Sequence, residues 1–328
     1  METEVKTYES IKEWKDKNIP SFLDDTTSLN KFHDLVMCKV FDLAISRVNK
    51  GAPPCKFSWF ITGSGGRSEQ GVISDQDHGL IYEISNVEND IYFKKLGEEV
   101  SYGLFIVGYP YCQGNVMSSN SLWCKSLHEW KEQLLKWMEG ESWDAIRYLQ
   151  IFYDARVLTG RNSYIEALKI VIYQYQLKHQ TVLKRFMENV THIKNVIGPL
   201  GQILVEQHGL YQGSVNLKYA AFLPYVNAVR VLSIKEGIYE TSTLERMKCL
   251  KQTKEYSKAL KGCEDNFLTL LRYRLTLFQV ESYTDTHFLN IERLQKEQRK
   301  DIKRILKDGK KLHDYVIALI EKGVNNGL

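Results

Sequence analysis

Apolar positions recur every three or four residues along most of the chain and give way to short unbroken apolar runs only between residues 57 and 110. In "SLNKFHDLVMCKVFDLAISRVNKG", Leu29, Phe32, Leu35, Val36, Val40, Leu43 and Ala44 share one helical stripe that ends at Gly51, so residues 7–50 read mostly as helix. "APP" then breaks the chain. "FSWFITGS" (57–64) is aromatic, β-branched and closed by glycine, which predicts a buried strand. "DHGLIYEI" (77–84) predicts a second strand and "LFIVGYP" (104–110) a third, with "NDIYFKKLGEEVSYG" as the helix between them. Helix, strand, strand, helix, strand is the order of an α/β unit with a small mixed sheet.

From about Ser126 the helical period takes over. "SLHEWKEQLLKWMEG" carries Leu127, Trp130, Leu134, Trp137 and Met138 on one stripe, and "DAIRYLQIFYDARVLTG" continues as helix to Gly160. Residues 162–198 hold one long helical pattern, and a last amphipathic run contains Leu294, Ile302, Ile305, Leu306, Leu312, Val316, Leu319 and Ile320. The reading is an α/β domain over residues 1–162 followed by an all-α helical bundle over residues 163–328. Trp123, Trp130, Trp137 and Trp143 are expected to pack in the core or between helices.

Composition narrows the function classes. The 328 residues are enough for two domains with proper cores, and the net charge of +4 argues against a nucleic-acid partner. The charged opening "METEVKTYESIKEWK" predicts no secretory or transit leader, and no apolar run approaches a membrane span; a soluble cytoplasmic protein is expected. Six scattered cysteines without a C-x-x-C pair predict neither structural zinc nor disulfides, and they read as ordinary small residues. The basic run "KEQRKDIKRILKDGKK" (296–311) has interleaved acids and an apolar stripe, and reads as a solvated bundle helix.

The chemistry concentrates in "GSGGRSEQGVISDQD", Gly63 to Asp77. It is not a P-loop, since no lysine follows the glycines, nor a dinucleotide fingerprint, since Ser68 stands at the third glycine. What remains is strand, Gly-Ser, ten residues, then Asp-x-Asp entering a strand. Side chains alternate on a strand, so Asp75 and Asp77 face one side, about 7 Å apart, and Gln76 and His78 the other. Such a pair suits one or two Mg²⁺ or Mn²⁺ ions with nucleotide phosphates completing the shell. Gly63 permits a sharp turn, Ser64 and the following amides can hold outer phosphates, and Arg67 offers a fixed positive charge. Arg67 could instead pair with Glu69; Ser74 caps the turn or orients Asp75.

This stretch resembles the signature of the DNA polymerase β-like nucleotidyltransferase superfamily. "GSGGRSEQGVISDQDHGLIY" is similar, more narrowly, to the PII-uridylyltransferase branch, and within it to bacterial proteins often found with CBS domains, for which this chain has no room before residue 57. The likeness extends over "GYPYCQGNVMSSNSLW" (108–123), "IFYDARVLTG" (151–160) and "NLKYAAFLPYVNAVRVLSIKEGI" (216–238). It implies a metal-dependent nucleotidyltransferase, of uridylyl or adenylyl type, that moves a nucleoside monophosphate from a nucleoside triphosphate to a hydroxyl, with a signalling protein as one class of acceptor. It also implies a third carboxylate as general base, for which Asp154 is the candidate, although Asp154 could simply pair with Arg156. Lys218 matches a lysine of the branch, though the glycines that follow there are replaced by "AAF", and Lys218 and Arg230 become candidate triphosphate contacts. Three alternatives stand beside this: a catalytically silent nucleotide-binding regulator, a nucleotidyltransferase acting on a small molecule, as antibiotic-modifying enzymes do, and an RNA-directed enzyme, which the near-neutral charge disfavours.

Overall fold

The structure, a computed structural model, describes residues 7–48 and 51–325. In chain order the first elements are α1 (Tyr8–Asn18), α2 (Thr26–Arg47), β1 (Phe57–Ile61), the one-turn α3 (Gly63–Gly66), β2 (His78–Tyr82), α4 (Val87–Val107), β3 (Cys124–Ser126) and α5 (Leu127–Gly140). They continue with α6 (Trp143–Tyr153), β4 (Arg156–Gly160), α7 (Asn162–Lys178), α8 (Thr181–Glu188), β5 (Ser214–Asn216) and α9 (Leu223–Glu236). The last are α10 (Thr243–Lys251), α11 (Lys254–Ser257), α12 (Cys263–Thr276), β6 (Phe288–Asn290) and α13 (Lys296–Asn325). The chain divides into two compact units, one of Met1–Lys136 with Asp154–Val171 and the other of Trp137–Tyr153 with Ile172–Leu328. Among the described residues no helix is long and apolar enough to cross a membrane.

The first unit is built on a four-stranded mixed sheet in the order β3-β2-β1-β4. β1 runs antiparallel to β2, pairing Phe57 with Tyr82 and Ile61 with His78, while β3 lies parallel to β2. All five residues of β2 and four of β1 are buried, which explains why these central strands read as unbroken apolar runs rather than alternating ones. α1, α2 and α4 cover the sheet through a core that includes Phe32, Val36, Phe41, Trp59, Leu80, Phe93, Leu96 and Val100. The helices start where short polar side chains cap free amides: Asp25 accepts from the Ser28 amide and Asn86 from the Asn89 amide.

Several expectations need correction. The run 104–110 is not a strand, because Leu104 and Val107 complete α4. Phe93, Leu96, Val100, Leu104 and Val107 are all fully buried at spacings of three and four, so the run extends a helical stripe until Gly108 stops it at φ +100°. The third strand is instead β3, whose three residues are too short to leave a periodic signal. Helix does not continue to Gly160 either. It ends at Tyr153, and Arg156–Gly160 forms β4, antiparallel to β1 with a register shift between Trp59 and Phe60. Pairing along the exposed edge of β1 outweighs a weak local preference there. Trp123 and Trp130 are fully buried as expected, but Trp143 is 55% exposed at the start of α6. The predicted helix end at residues 49–50 lies outside the described residues.

The second unit is mostly helical. α9 is buried along nearly its whole length, as befits a central helix, and packs against α10 and α13. The long helical pattern of 162–198, whose start up to Val171 is counted with the first unit, is two helices, α7 and α8, separated at His179 and Gln180, with irregular chain after Glu188. A two-stranded antiparallel ribbon, β5 with β6, is added to the bundle; each strand is only three residues long.

Candidate functional site

The site grows from the turn between β1 and β2. The backbone amide of Thr62 donates to the Asp77 carbonyl at 2.9 Å, so the two ends of the loop are fastened side by side. Gly63 then turns at φ +56°. A Cβ at Gly63 would lie 2.2 Å from Asp77 Oδ2, so the absence of a side chain lets the Asp77 carboxylate rest against the turn.

The far part of the loop is clamped by α2. Asn30 donates from Nδ2 to the Gln70 carbonyl at 3.3 Å and accepts from the Gln70 amide at 2.9 Å. His33 Nε2 meets the Gly71 carbonyl at 3.0 Å; since a carbonyl only accepts, Nε2 carries the proton and Nδ1 accepts from the Tyr109 hydroxyl at 2.8 Å. Burial holds this imidazole neutral, with its pKa pushed down to about 4. One residue further along α2, Asp34 takes a bidentate pair from Arg156 at 2.8 and 2.9 Å, and Arg156 also donates to the Gly65 carbonyl.

Arg67 sits beneath the loop. Its Nε donates to Glu69 at 2.7 Å and its Nη1 to Asp154 at 2.7 Å, with Glu69 and Asp154 both buried. Burial alone would lower the Arg67 pKa, but the two carboxylates outweigh it and raise it. The alternative partners weighed from sequence are thus resolved: Arg67 does pair with Glu69, inside the protein rather than on its surface, and Asp154 pairs with Arg67 rather than with Arg156.

The expected alternation across residues 75–78 is observed. Gln76 and His78 are buried, and Asp75 and Asp77 are half-buried on the other side. Gln76 Nε2 donates to the carbonyls of Ser101 and Tyr109. His78 Nδ1 accepts from Trp59 Nε1, which leaves Nε2 to donate to Gln76 Oε1 at 2.9 Å. Complete burial depresses the His78 pKa to about 3, so this inner row stays neutral and fixed. Ser74 Oγ donates to the Asp75 carbonyl at 3.2 Å.

On the outer row, donor atoms of Asp75, Asp77 and Cys112 all lie within 4.8 Å of one another. Burial, then the Asp77 charge and a hydrogen bond to it, push the Cys112 thiol well above its ordinary range. Beneath the loop is a cavity of about 10 Å³, room for about one water, lined by Asp75, Asp77, Ser64 and Gln70 among others. Gln70 Oε1 is buried there without a hydrogen-bond partner. Two carboxylates beside one small polar space are a donor set that can hold a divalent cation.

Asp75, Asp77, Gly63 and Ser64 therefore come together, and Arg67 with Asp154 forms a separate buried pair below them. Lys218 and Arg230 belong to the second unit. Lys218 Nζ lies 5.8 Å from the centre of the Tyr283 ring, and Arg230 is buried on α9 and donates to Asn227 at 3.1 Å. Sequence reasoning missed Asn30, His33, Asp34 and Cys112. Polar residues interrupting the apolar stripe of α2 were a readable sign for the first two, whereas nothing in the spacing of Cys112 distinguishes it from the other five cysteines.

A family model described as "Putative nucleotidyltransferase DUF294" matches residues 24–144, and one described as "Putative nucleotidyltransferase substrate binding domain" matches residues 180–318. No curated protein matches the chain.

Proposed function

The chain belongs to the nucleotidyltransferase family that these two models describe, and on that premise we propose that it moves a nucleoside monophosphate from a nucleoside triphosphate to a hydroxyl acceptor. The acceptor hydroxyl gives up its proton to solvent, and its oxygen forms the new bond to the α-phosphorus as the bond to pyrophosphate breaks. The observation that carries this reading is the convergence of Asp75 and Asp77 on one small space, with Gly63 shaped to admit the Asp77 carboxylate. Mg²⁺ or Mn²⁺ bound by these two residues would polarise the α-phosphate and neutralise the leaving pyrophosphate.

Ser64 and the amides of the turn hold the outer phosphates. Arg67 and Asp154, each engaged with the other, are assigned to keeping the loop in shape rather than to contacting phosphate or abstracting a proton. A buried carboxylate in a 2.7 Å ion pair is poorly placed to take a proton from an acceptor. We assign transfer to residues 1–162 and acceptor choice to residues 163–328.

A protein acceptor is favoured by a groove of about 630 Å³ within the second unit, where Lys296, Arg299, Lys300 and Lys303 stand over Ile203 and Leu294. That combination of basic rim and apolar floor suits an acidic protein surface. The test is to incubate the protein with each labelled triphosphate, Mg²⁺ or Mn²⁺ and a cell lysate. Label should pass to a protein, and Lys296→Glu with Lys303→Glu should remove that transfer while sparing nucleotide binding. Asp75→Asn with Asp77→Asn should eliminate metal-dependent nucleotide binding, and undiminished binding in that double variant refutes the assignment. Nucleotide binding without pyrophosphate release under any condition would identify a silent regulator instead, and label on a metabolite would identify a small-molecule acceptor.

A further inference from the structure

We infer that Cys112 is a third ligand at the Asp75–Asp77 pair, and that the site consequently prefers a thiophilic divalent cation of the zinc class to magnesium. The inference rests on the cation-binding reading of the two aspartates but not on nucleotidyl transfer. Among the described residues, this is the one grouping of three or more histidine, cysteine or acidic side chains whose donor atoms lie within ligating reach of one another.

The geometry is nearly sufficient as it stands. With metal–sulfur and metal–oxygen bonds of about 2.3 and 2.1 Å, tetrahedral ligands sit roughly 3.6 Å apart. Donor atoms already within 4.8 Å need to close by no more than about 1.2 Å, within reach of small side-chain rotations. The Cys112 backbone is held in place: neighbouring Tyr111 bridges to Gln76 beside the two acids, and the Asn115 amide donates to the Cys112 carbonyl at 2.9 Å. An independent feature adjoins the two aspartates, although Cys112 itself does not line this cavity. Gln70, 2% exposed, keeps its amide oxygen unpartnered in the cavity it shares with Asp75 and Asp77, where a positive charge would satisfy it.

The chemistry follows from the donor set. As the sulfur–metal bond forms, the thiol loses its proton to solvent, and two carboxylates with one thiolate offset the dication. Magnesium takes oxygen ligands almost exclusively, whereas thiolate donors favour zinc and its soft neighbours. Cys112 is therefore a determinant of cation choice, with a fourth position left open.

The test titrates the full chain with Co²⁺, Zn²⁺ and Mn²⁺. Co²⁺ should raise a thiolate-to-metal charge-transfer band at one equivalent. Cys112→Ser should abolish the band and weaken Zn²⁺ binding at least ~100-fold, while changing Mn²⁺ affinity less than about threefold. Asp77→Asn should weaken both metals. Should Cys112→Ser fail to fold, alkylation of the unaltered protein gives the same information: Zn²⁺ should protect Cys112 from the reagent and Mg²⁺ should not. A band that survives in Cys112→Ser, equal losses of Zn²⁺ and Mn²⁺, or no zinc protection would overturn the inference. A normal cobalt band in a protein that neither binds nor turns over nucleotide would leave this inference standing while removing the proposed transferase function.

Discussion

Gly63→Ala separates the conformational role of that glycine from its role as a seat for Asp77. At φ +56° an alanine carries a left-handed penalty of about 1–2 kcal/mol, part of which is offset by the reduced freedom of the unfolded chain, about 0.4–1 kcal/mol. The net loss of stability is then about 1 kcal/mol, or a few degrees in Tm. The steric effect is larger in consequence. The new Cβ would stand 2.2 Å from Asp77 Oδ2, where ordinary contact begins near 3.4 Å, so the carboxylate must retreat by about 1.2 Å. A displacement of about that size at a reacting centre costs on the order of 100-fold in rate. Urea unfolding and pyrophosphate release, measured on the same preparation, should show a small change in the first and a large one in the second. Gly51→Ala is the control: its φ is +75°, but nothing lies within 4 Å of the added Cβ, so it should lose comparable stability and keep full activity. If Gly63→Ala retained normal metal affinity and turnover, or if Gly51→Ala lost activity equally, the seat argument would be wrong.

Asp154→Asn leaves the buried Arg67 guanidinium with Glu69 as its one anionic partner, so the loss should be about that of one charge-assisted hydrogen bond, about 1.5–3 kcal/mol; a urea midpoint that moved by less than about 0.5 kcal/mol equivalent would refute a structural role for the pair. Part of the pH dependence of stability should come from His33 and His78, held neutral by burial at about 4 and about 3, below the ordinary 6.5, with His287 and His313 shifted in the same direction. The unfolded chain takes up those protons first, so this contribution is complete above about pH 6.5 and is lost as pH falls toward 4, by up to about 1.4 kcal/mol per pH unit for each imidazole. Urea titrations between pH 7 and pH 5 should show the decline, and His78→Gln should flatten it; a level profile in the unaltered protein would contradict the burial argument.

Legibility differed sharply between parts of the molecule. α2, α5 and α13 were readable because their burial repeats at the helical period, and β1 and β2 because they are short unbroken buried runs bounded by turn residues. β3, β5 and β6 were not, since three residues carry no period, and the pairing that defines them comes from distant chain. The end of α4 misled because four consecutive apolar residues fit a strand or the last turn of a helix equally well, and length along the stripe decided the matter. At the site, Asp75 and Asp77 were visible through spacing alone, and the inward Gln76 and His78 follow from the same alternation. The partner of Asp154 was not visible, because β4 brings that residue beneath a loop nearly ninety positions away.

From the chain alone came the strand–glycine–serine turn, the two acids two residues apart, and the division into a sheet-bearing part and a helical part. These depend on local preference and on periods of two and 3.6, which are properties of neighbouring residues. Tertiary structure decided which groups meet: Cys112 beside the acids, Arg67 between Glu69 and Asp154, and Asn30 with His33 gripping the loop. Those pairings are set by how helices cover the sheet and by the cost of leaving a buried polar group unpaired, and no spacing along the chain encodes either.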